Sequence, residues 1–277
     1  MLIGGLAALS ALTAVIVCWG KEWLTWLWLL PVGFAGSFAI FALLAFLAVL
    51  ISCAVVRLDR PQEQDSPYYR WLVRLLAEAG HTILAMRVHA AGLEKTPKDG
   101  RFLLVCNHLN DFDPVVLLHH FRHSRLAFIS KRENSTMFVV GKVMHKIQCQ
   151  LINRENDKEA LKTILRCIQI IKEDKASIAV FPEGGILSED GKLHHFRPGV
   201  FKIAKKTEVP IVVCTMKNTK DAIANLLHLK KTDIEVSVLD VITPEQYAGM
   251  TTVELGNLVH DLMAKDLGPQ YAPEEST

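Results

Sequence analysis

The sequence predicts an α/β fold, a mixed, largely parallel central sheet flanked by helices, preceded by an N-terminal hydrophobic helical hairpin. Three observations predict it. Positions 1–20 carry no charged side chain, and after Lys21 and Glu22 positions 23–56 carry none either. From Arg57 onward the charge is that of an ordinary soluble domain. There, short β-type runs alternate with longer helical patterns, as in an α/β sheet with substantial parallel content. The 277-residue chain is 50% hydrophobic and 22% charged, which excludes disorder and collagen-like structure. A net charge of +2 is too balanced for a protein whose main partner is nucleic acid.

A helix needs about 20 apolar residues to cross a bilayer. Residues 2–19 just reach that length and residues 33–56 exceed it. Trp19, Trp23, Trp26 and Trp28 lie between the runs, where the interfacial belt of a tight hairpin belongs. Pro31 falls near the start of the second span, where a proline costs least. The turn has only Lys21, whereas Arg57, Arg60, Arg70 and Arg74 follow the second span. This asymmetry puts the chain in the cell membrane, with the C-terminal domain and the N-terminus on the cytoplasmic side. Two readings compete. A signal peptide plus one anchor lacks a basic n-region and a small-x-small cleavage pattern. A hairpin entering only one leaflet is favoured by the Gly- and Ala-rich first run. The expected organisation is a hairpin over 1–56, a polar linker over 57–67 and a catalytic-type domain over 68–277. The six cysteines form no CxxC and read as small buried hydrophobes in a reducing compartment.

In the soluble domain, strands are expected at 82–90, Phe102–Cys106, Leu126–Ser130, 147–152, Ser177–Phe181, Pro210–Thr215 and Ile234–Val241. Helical patterns fill 68–79, 114–122, 157–173, 199–206 and 252–266. The tail after about Gly268 looks frayed. Ligands in such sheets bind beyond the strand C-terminal ends, so the residues just after each strand carry the chemistry.

After Phe102–Cys106 comes Asn107-His108-Leu109-Asn110-Asp111-Phe112-Asp113-Pro114. A loop of this length lets Asp113 accept a hydrogen bond from the His108 ring. That fixes the tautomer and leaves the other nitrogen as a general base. No Gly-x-Ser-x-Gly elbow is present, so the nucleophile is a hydroxyl of the substrate. The competing reading makes Asp113 a plain helix N-cap before an N1 proline, and His108 a structural histidine. Lys131, Arg154 and Arg197 follow other strands and can converge on an anion, or else stand as solvated charges. Glu183 sits in a glycine-rich turn after an apolar strand, where function concentrates. Gly184 and Gly185 permit close backbone approach, and their N–H groups are candidates to bind an oxyanion. His119, His120 and His123 fall on one expected helix, with His119 and His123 spaced i,i+4. Without an HExxH they are not expected to hold zinc, and no metal site is expected elsewhere.

Four ordered blocks, NHLNDFD (107–113), LINR (151–154), FPEGG (181–185) and VPIVV (209–213), resemble those of the 1-acyl-glycerol-3-phosphate acyltransferases. The resemblance covers about residues 85–245, and the hydrophobic N-terminus fits the bacterial members. It implies that His108, with Asp113, deprotonates an acceptor hydroxyl that attacks an acyl thioester. It implies acceptor recognition by Arg154, Glu183 and Gly184, in a substrate-binding set that also holds Asn107, Lys131, Gly185 and Arg197. The expected partners are membrane lipids, lysophosphatidic acid, and acyl carrier protein or coenzyme A as thioester co-substrate, with no other cofactor. Where the family often has Thr-Arg or Ser-Arg after the Glu-Gly, this chain has Gly185-Ile186. Arg197, with Arg154 and Lys131, is the expected replacement. The alternatives are another acceptor (glycerol 3-phosphate or a lysolipid without a terminal phosphate), or a membrane-tethered protein that binds lipid without catalysis.

Overall fold

A computed structural model of the chain describes residues 2–18, 29–60, 64–186 and 192–271. The chain divides into two compact units, 1–57 and 58–277. The first holds two apolar helices, Leu2–Cys18 and Leu29–Ala54, that pack against each other. At about 1.5 Å per residue, the 26 residues of the second helix exceed the bilayer's hydrocarbon core, and the 17 of the first fall short. One described helix, not two, is therefore long and apolar enough to cross a membrane. Phe38, Ile40, Leu43, Phe46 and Ile51 point outward around it, as suits a helix surrounded by lipid. The expected tryptophan belt and turn lie outside the described residues.

The second unit is a seven-stranded sheet in the order β1-β7-β6-β2-β5-β3-β4. The strands are β1 (Met86–Ala91), β2 (Leu103–Cys106), β3 (Leu126–Lys131), β4 (Gln150–Ile152), β5 (Ser177–Val180), β6 (Ile211–Lys217) and β7 (Thr232–Ile242). β2 to β6 are mutually parallel, β7 runs antiparallel to β6, and β1 runs parallel to β7. The central strands are continuous apolar runs because both sheet faces are covered. Leu103, Val105, Ile178, Val180, Ile211 and Val213 face helices Asp157–Lys172, Lys202–Thr207 and Thr252–Leu267. Leu104, Cys106, Ala179, Val212 and Cys214 face the other way, toward Val116 and Leu117 of helix Asp113–His120. Cys106, Cys149, Cys167 and Cys214 form no disulfide.

Three boundaries differ from the expectation. Residues 82–83 end helix Pro67–Ile83 rather than starting a strand, and β1 begins only after Ala85 turns left-handed (φ 49°). Helix Phe138–Lys146 runs up to the expected 147–152 strand, of which only Gln150–Ile152 pairs. Helix Asp113–His120 stops before His123, so the i,i+4 pairing of His119 with His123 does not form. His119 and His120 instead lie against His81, with ring centroids 4.7 Å and 6.1 Å from its ring. Burial first, then the neighbouring histidines, lowers His120 to about 4. Among the described residues no cluster is arranged to hold a metal ion.

Candidate active site

The C-terminal ends of β2 to β6 share one sheet edge, and the residues just beyond them build the site. Asn107 follows β2 and is 2% exposed. Its side-chain amide donates to the Met216 carbonyl (2.9 Å) and accepts the Met216 N–H (2.8 Å). Both polar atoms thus help tie β2 to β6. Asn107 thereby holds the frame of the site.

His108 is held from three directions. Its Nδ1 lies 2.9 Å from Asp113 Oδ2. That oxygen also accepts the backbone N–H groups of Leu109 (2.6 Å) and Asn110 (2.8 Å). Three donors converging on one oxygen mark it as an acceptor, which puts the ring hydrogen on Nδ1 and the lone pair on Nε2. The His108 ring stacks on Phe181 with centroids 4.0 Å apart and planes at 12°, and Phe181 stacks in turn on Phe128 at 5.8 Å. The His108 backbone N–H donates to Glu183 Oε1 (2.9 Å). Asp113 is fully buried and opens its helix as the first helical residue, with Phe112 as cap. Its carboxylate turns back to the preceding loop and caps nothing in its own helix. The cap-only reading therefore does not describe it.

Glu183 is 3% exposed, and its second oxygen accepts the His194 N–H at 3.1 Å. The carboxylate thus bridges the loop after β2 to the segment leading into Arg197. Burial pushes it up to about 7, against the pull of these two N–H donors.

Gly184 (φ 87°) and Gly185 make room for two guanidinium groups. A Cβ at position 184 would stand 2.5 Å from Arg197 Nε, and one at position 185 would stand 2.8 Å from Arg154 Nη1. Arg154 is pressed below its ordinary value by burial and then by the like charge of Arg197, with Glu133 opposing. Among the described residues neither arginine forms an ion pair. The half-buried Arg154 and the exposed Arg197 face one turn with no carboxylate paired to either among the described residues; such a pair suits an anion, and guanidinium suits phosphate through paired contacts. Lys131 ends β3 on the same edge, in register with Ile152, and is exposed. The Gly184 N–H donates to the Phe181 carbonyl (3.1 Å), so of the expected oxyanion pair only the Gly185 N–H is left for a ligand. Sequence reasoning missed the Phe181 stack and the His194 contact. Phe181 opens the FPEGG block, and that adjacency was its one signal.

Comparison with known proteins agrees with this frame. Residues 87–217 match the family model described as Acyltransferase, and they form an acyltransferase-family domain. The chain is 30% identical over 158 residues to a probable 1-acyl-sn-glycerol-3-phosphate acyltransferase of Mycoplasma pneumoniae, covering 55% of this chain and 58% of that protein. It is 26% identical over 241 residues to the protein of the same description from Mycoplasma genitalium, covering 80% and 85%. The first alignment spans less than two thirds of its partner. Among solved structures, the 1-acyl-sn-glycerophosphate acyltransferase PlsC of Thermotoga maritima shares the fold, with a TM-score of 0.61 over 82% of this chain and 89% of that one, at 21% identity.

Proposed function

We propose that this protein transfers a fatty acyl group from an acyl thioester to the sn-2 hydroxyl of 1-acyl-glycerol-3-phosphate, giving phosphatidic acid. The observation that carries the proposal is a histidine pinned by a buried carboxylate on the same edge as two arginines that, among the described residues, form no ion pair. The names of the relatives support the acceptor.

His108 Nε2 takes the proton of the acceptor hydroxyl as its oxygen bonds to the thioester carbonyl carbon. Asp113 stabilises the positive charge that the ring gains. The carbonyl oxygen becomes an oxyanion, toward which the Gly185 N–H is available. Collapse breaks the C–S bond, and the leaving thiolate takes the proton back from Nε2. The ester and a free thiol result, with no acyl-enzyme. Arg154 and Arg197 hold the acceptor phosphate. The donor is acyl carrier protein or coenzyme A thioester, and no bound cofactor takes part. The apolar helix Leu29–Ala54 keeps the domain at the membrane where the lysolipid resides, on the cytoplasmic side where the donor is made.

The test is acyl transfer by the full chain in lipid vesicles, with both donor types. Lysophosphatidate is offered beside lysolipids lacking the phosphate. His108→Ala is expected to lower turnover of lysophosphatidate about 10²–10⁴-fold. Full activity in that variant would sink the proposal. One observation favours a second reading, a phosphate-free acceptor: Ile186, 41% exposed, presents an apolar side chain beside the turn. Turnover of only phosphate-free lysolipids would establish that reading instead.

A further inference from the structure

The connection from β6 to β7, residues 218–231, lies on the same sheet edge as His108 and Glu183. β6 runs parallel to β2 and β5, and β7 returns antiparallel with Lys217 opposite Glu235. The connection is anchored two residues upstream, where Met216 takes both hydrogen bonds of the Asn107 amide. It contains the short helix Ala222–Leu227. Ile223 and Leu227, one turn apart, are 49% and 78% exposed, and Leu229 is 94% exposed.

Leu229 is also held in the left-handed region, at φ 54°. The helix ends in a Schellman motif: Lys230 N–H donates to the Asn225 carbonyl (2.8 Å) and Leu229 N–H to the Leu226 carbonyl (3.0 Å). That motif favours glycine at the position Leu229 occupies, because a Cβ there crowds the backbone. A leucine accepts this strain and gains no packing in return. Lys220, Lys230 and Lys231 flank the leucines, against the single carboxylate of Asp221.

We propose that this connection is a membrane-inserting tip. Leu227 and Leu229 enter the interface of a bilayer bearing anionic headgroups, and the lysines meet the headgroup phosphates. An exposed pair of leucines with lysines beside them in the sequence fits a fluid apolar layer under a negative surface. A protein partner would have to supply a matching groove. The chain already carries the apolar helix Leu29–Ala54, which keeps a bilayer within reach. The tip is a second contact, made by the catalytic domain itself, and it turns the edge bearing His108 toward the lipid. The inference rests on the proposed membrane location but not on the acceptor assignment.

The full chain is placed in nanodiscs of phosphatidylglycerol and phosphatidylcholine. Leu229→Cys carries an environment-sensitive NBD label, quenched by nitroxide-bearing lipids. The unsubstituted chain, treated in parallel, gives the background. Lys98→Cys is the control, because Lys98 is exposed in the β1–β2 connection at the opposite sheet edge. Quenching several times stronger at 229 than at 98 is expected, and weaker in discs of phosphatidylcholine alone. Equal quenching at the two positions overturns the proposal. So does protection of the 229 label only when acyl carrier protein is added, which would make the tip a carrier-docking site. The readout needs no turnover, so it fails or holds apart from the acyl-transfer reading. Leu229→Gly separates lipid contact from folding. It relieves the left-handed strain, so the melting temperature is expected to hold or rise while quenching of a Leu227→Cys label falls severalfold. A lowered melting temperature with unchanged quenching would make Leu229 a structural residue.

Discussion

Replacing Asp113 by Asn removes a charge and almost no volume, so it isolates what the carboxylate does. The oxygen at the Oδ2 position must stay an acceptor, because His108 Nδ1 and the Leu109 and Asn110 amides all point at it. The new NH₂ group therefore goes where Asp113 Oδ1 lies, a buried position without a hydrogen-bond partner. A buried unpaired donor costs about 1–3 kcal/mol. For a domain of this size that is a fall of roughly 2–12 °C in melting temperature. The effect on catalysis is larger. A unit charge on the ring interacts with a carboxylate at 2.9 Å by about 6 kcal/mol at an effective dielectric constant of about 20. An amide recovers about half of that through its dipole. The remaining ~3 kcal/mol predicts a kcat about 10²-fold lower, or lower still, with KM nearly unchanged. Vesicle-based kinetics and thermal unfolding of the same preparation measure both quantities. A loss of kcat under about threefold in a folded variant would refute the reasoning, since the charge would then have no share in the chemistry.

The other expectations concern the neighbours of that pair. Arg197→Ala is expected to raise the KM for a phosphate-bearing acceptor about 10–100-fold, the value of one or two charge-assisted hydrogen bonds, and to leave a phosphate-free lysolipid unaffected. Phe181→Leu is expected to lower kcat about two- to tenfold through loss of the ring stack, whereas Phe181→Tyr keeps it; equal activity in both variants would count against a positioning role. Glu183 has a pH signature. Its folded value of about 7 lies above the ordinary 4.5, so the folded state holds the proton more tightly. Its contribution is fully present below about 4.5 and is lost as pH rises through about 7, amounting to about 3 kcal/mol. Glu183→Gln should remove that slope, and denaturant unfolding of parent and variant from pH 4 to 8 reads it as a difference. Parallel stability curves would refute it.

Much of this was legible in the sequence, for identifiable reasons. Leu103–Cys106, Ser177–Val180 and Ile211–Lys217 are mostly apolar and almost wholly buried because the sheet is covered on both faces, so their existence and parallel sense could be read. The His108–Asp113 contact could be read because a short loop between a strand and a helix leaves the two side chains few places to go. The reversed pair β7 and β1 could not be read, since nothing local in Thr232–Ile242 fixes which way a strand enters a sheet. Helix Phe138–Lys146 was hidden because its pattern, with Gly141 pressed against the Ser135 carbonyl, belongs to tertiary packing. The framing role of Asn107 was hidden for a related reason. Its amide is consumed by a residue 109 positions away, and spacing along the chain carries no trace of such a contact.

The altered third block becomes intelligible once Gly184 and Gly185 are placed. The family resemblance leads one to expect an arginine here, and Gly185-Ile186 looks at first like the loss of a phosphate ligand. The geometry gives the two glycines another consequence. Any side chain at 185 would meet Arg154 Nη1 at 2.8 Å, and any at 184 would meet Arg197 Nε at 2.5 Å. Removing the side chains is therefore what admits the guanidinium groups, one from beyond β4 and one from the segment that Glu183 ties down through His194. The positive charge is brought in from neighbouring segments rather than carried by the turn itself. In this chain the turn faces guanidinium groups that other segments contribute. This arrangement also explains why Glu183 is buried among backbone donors and not paired with either arginine. A carboxylate reaching toward Arg154 or Arg197 would neutralise the charge that the proposed phosphate-bearing acceptor calls for; its two oxygens are occupied by the His108 and His194 amides instead.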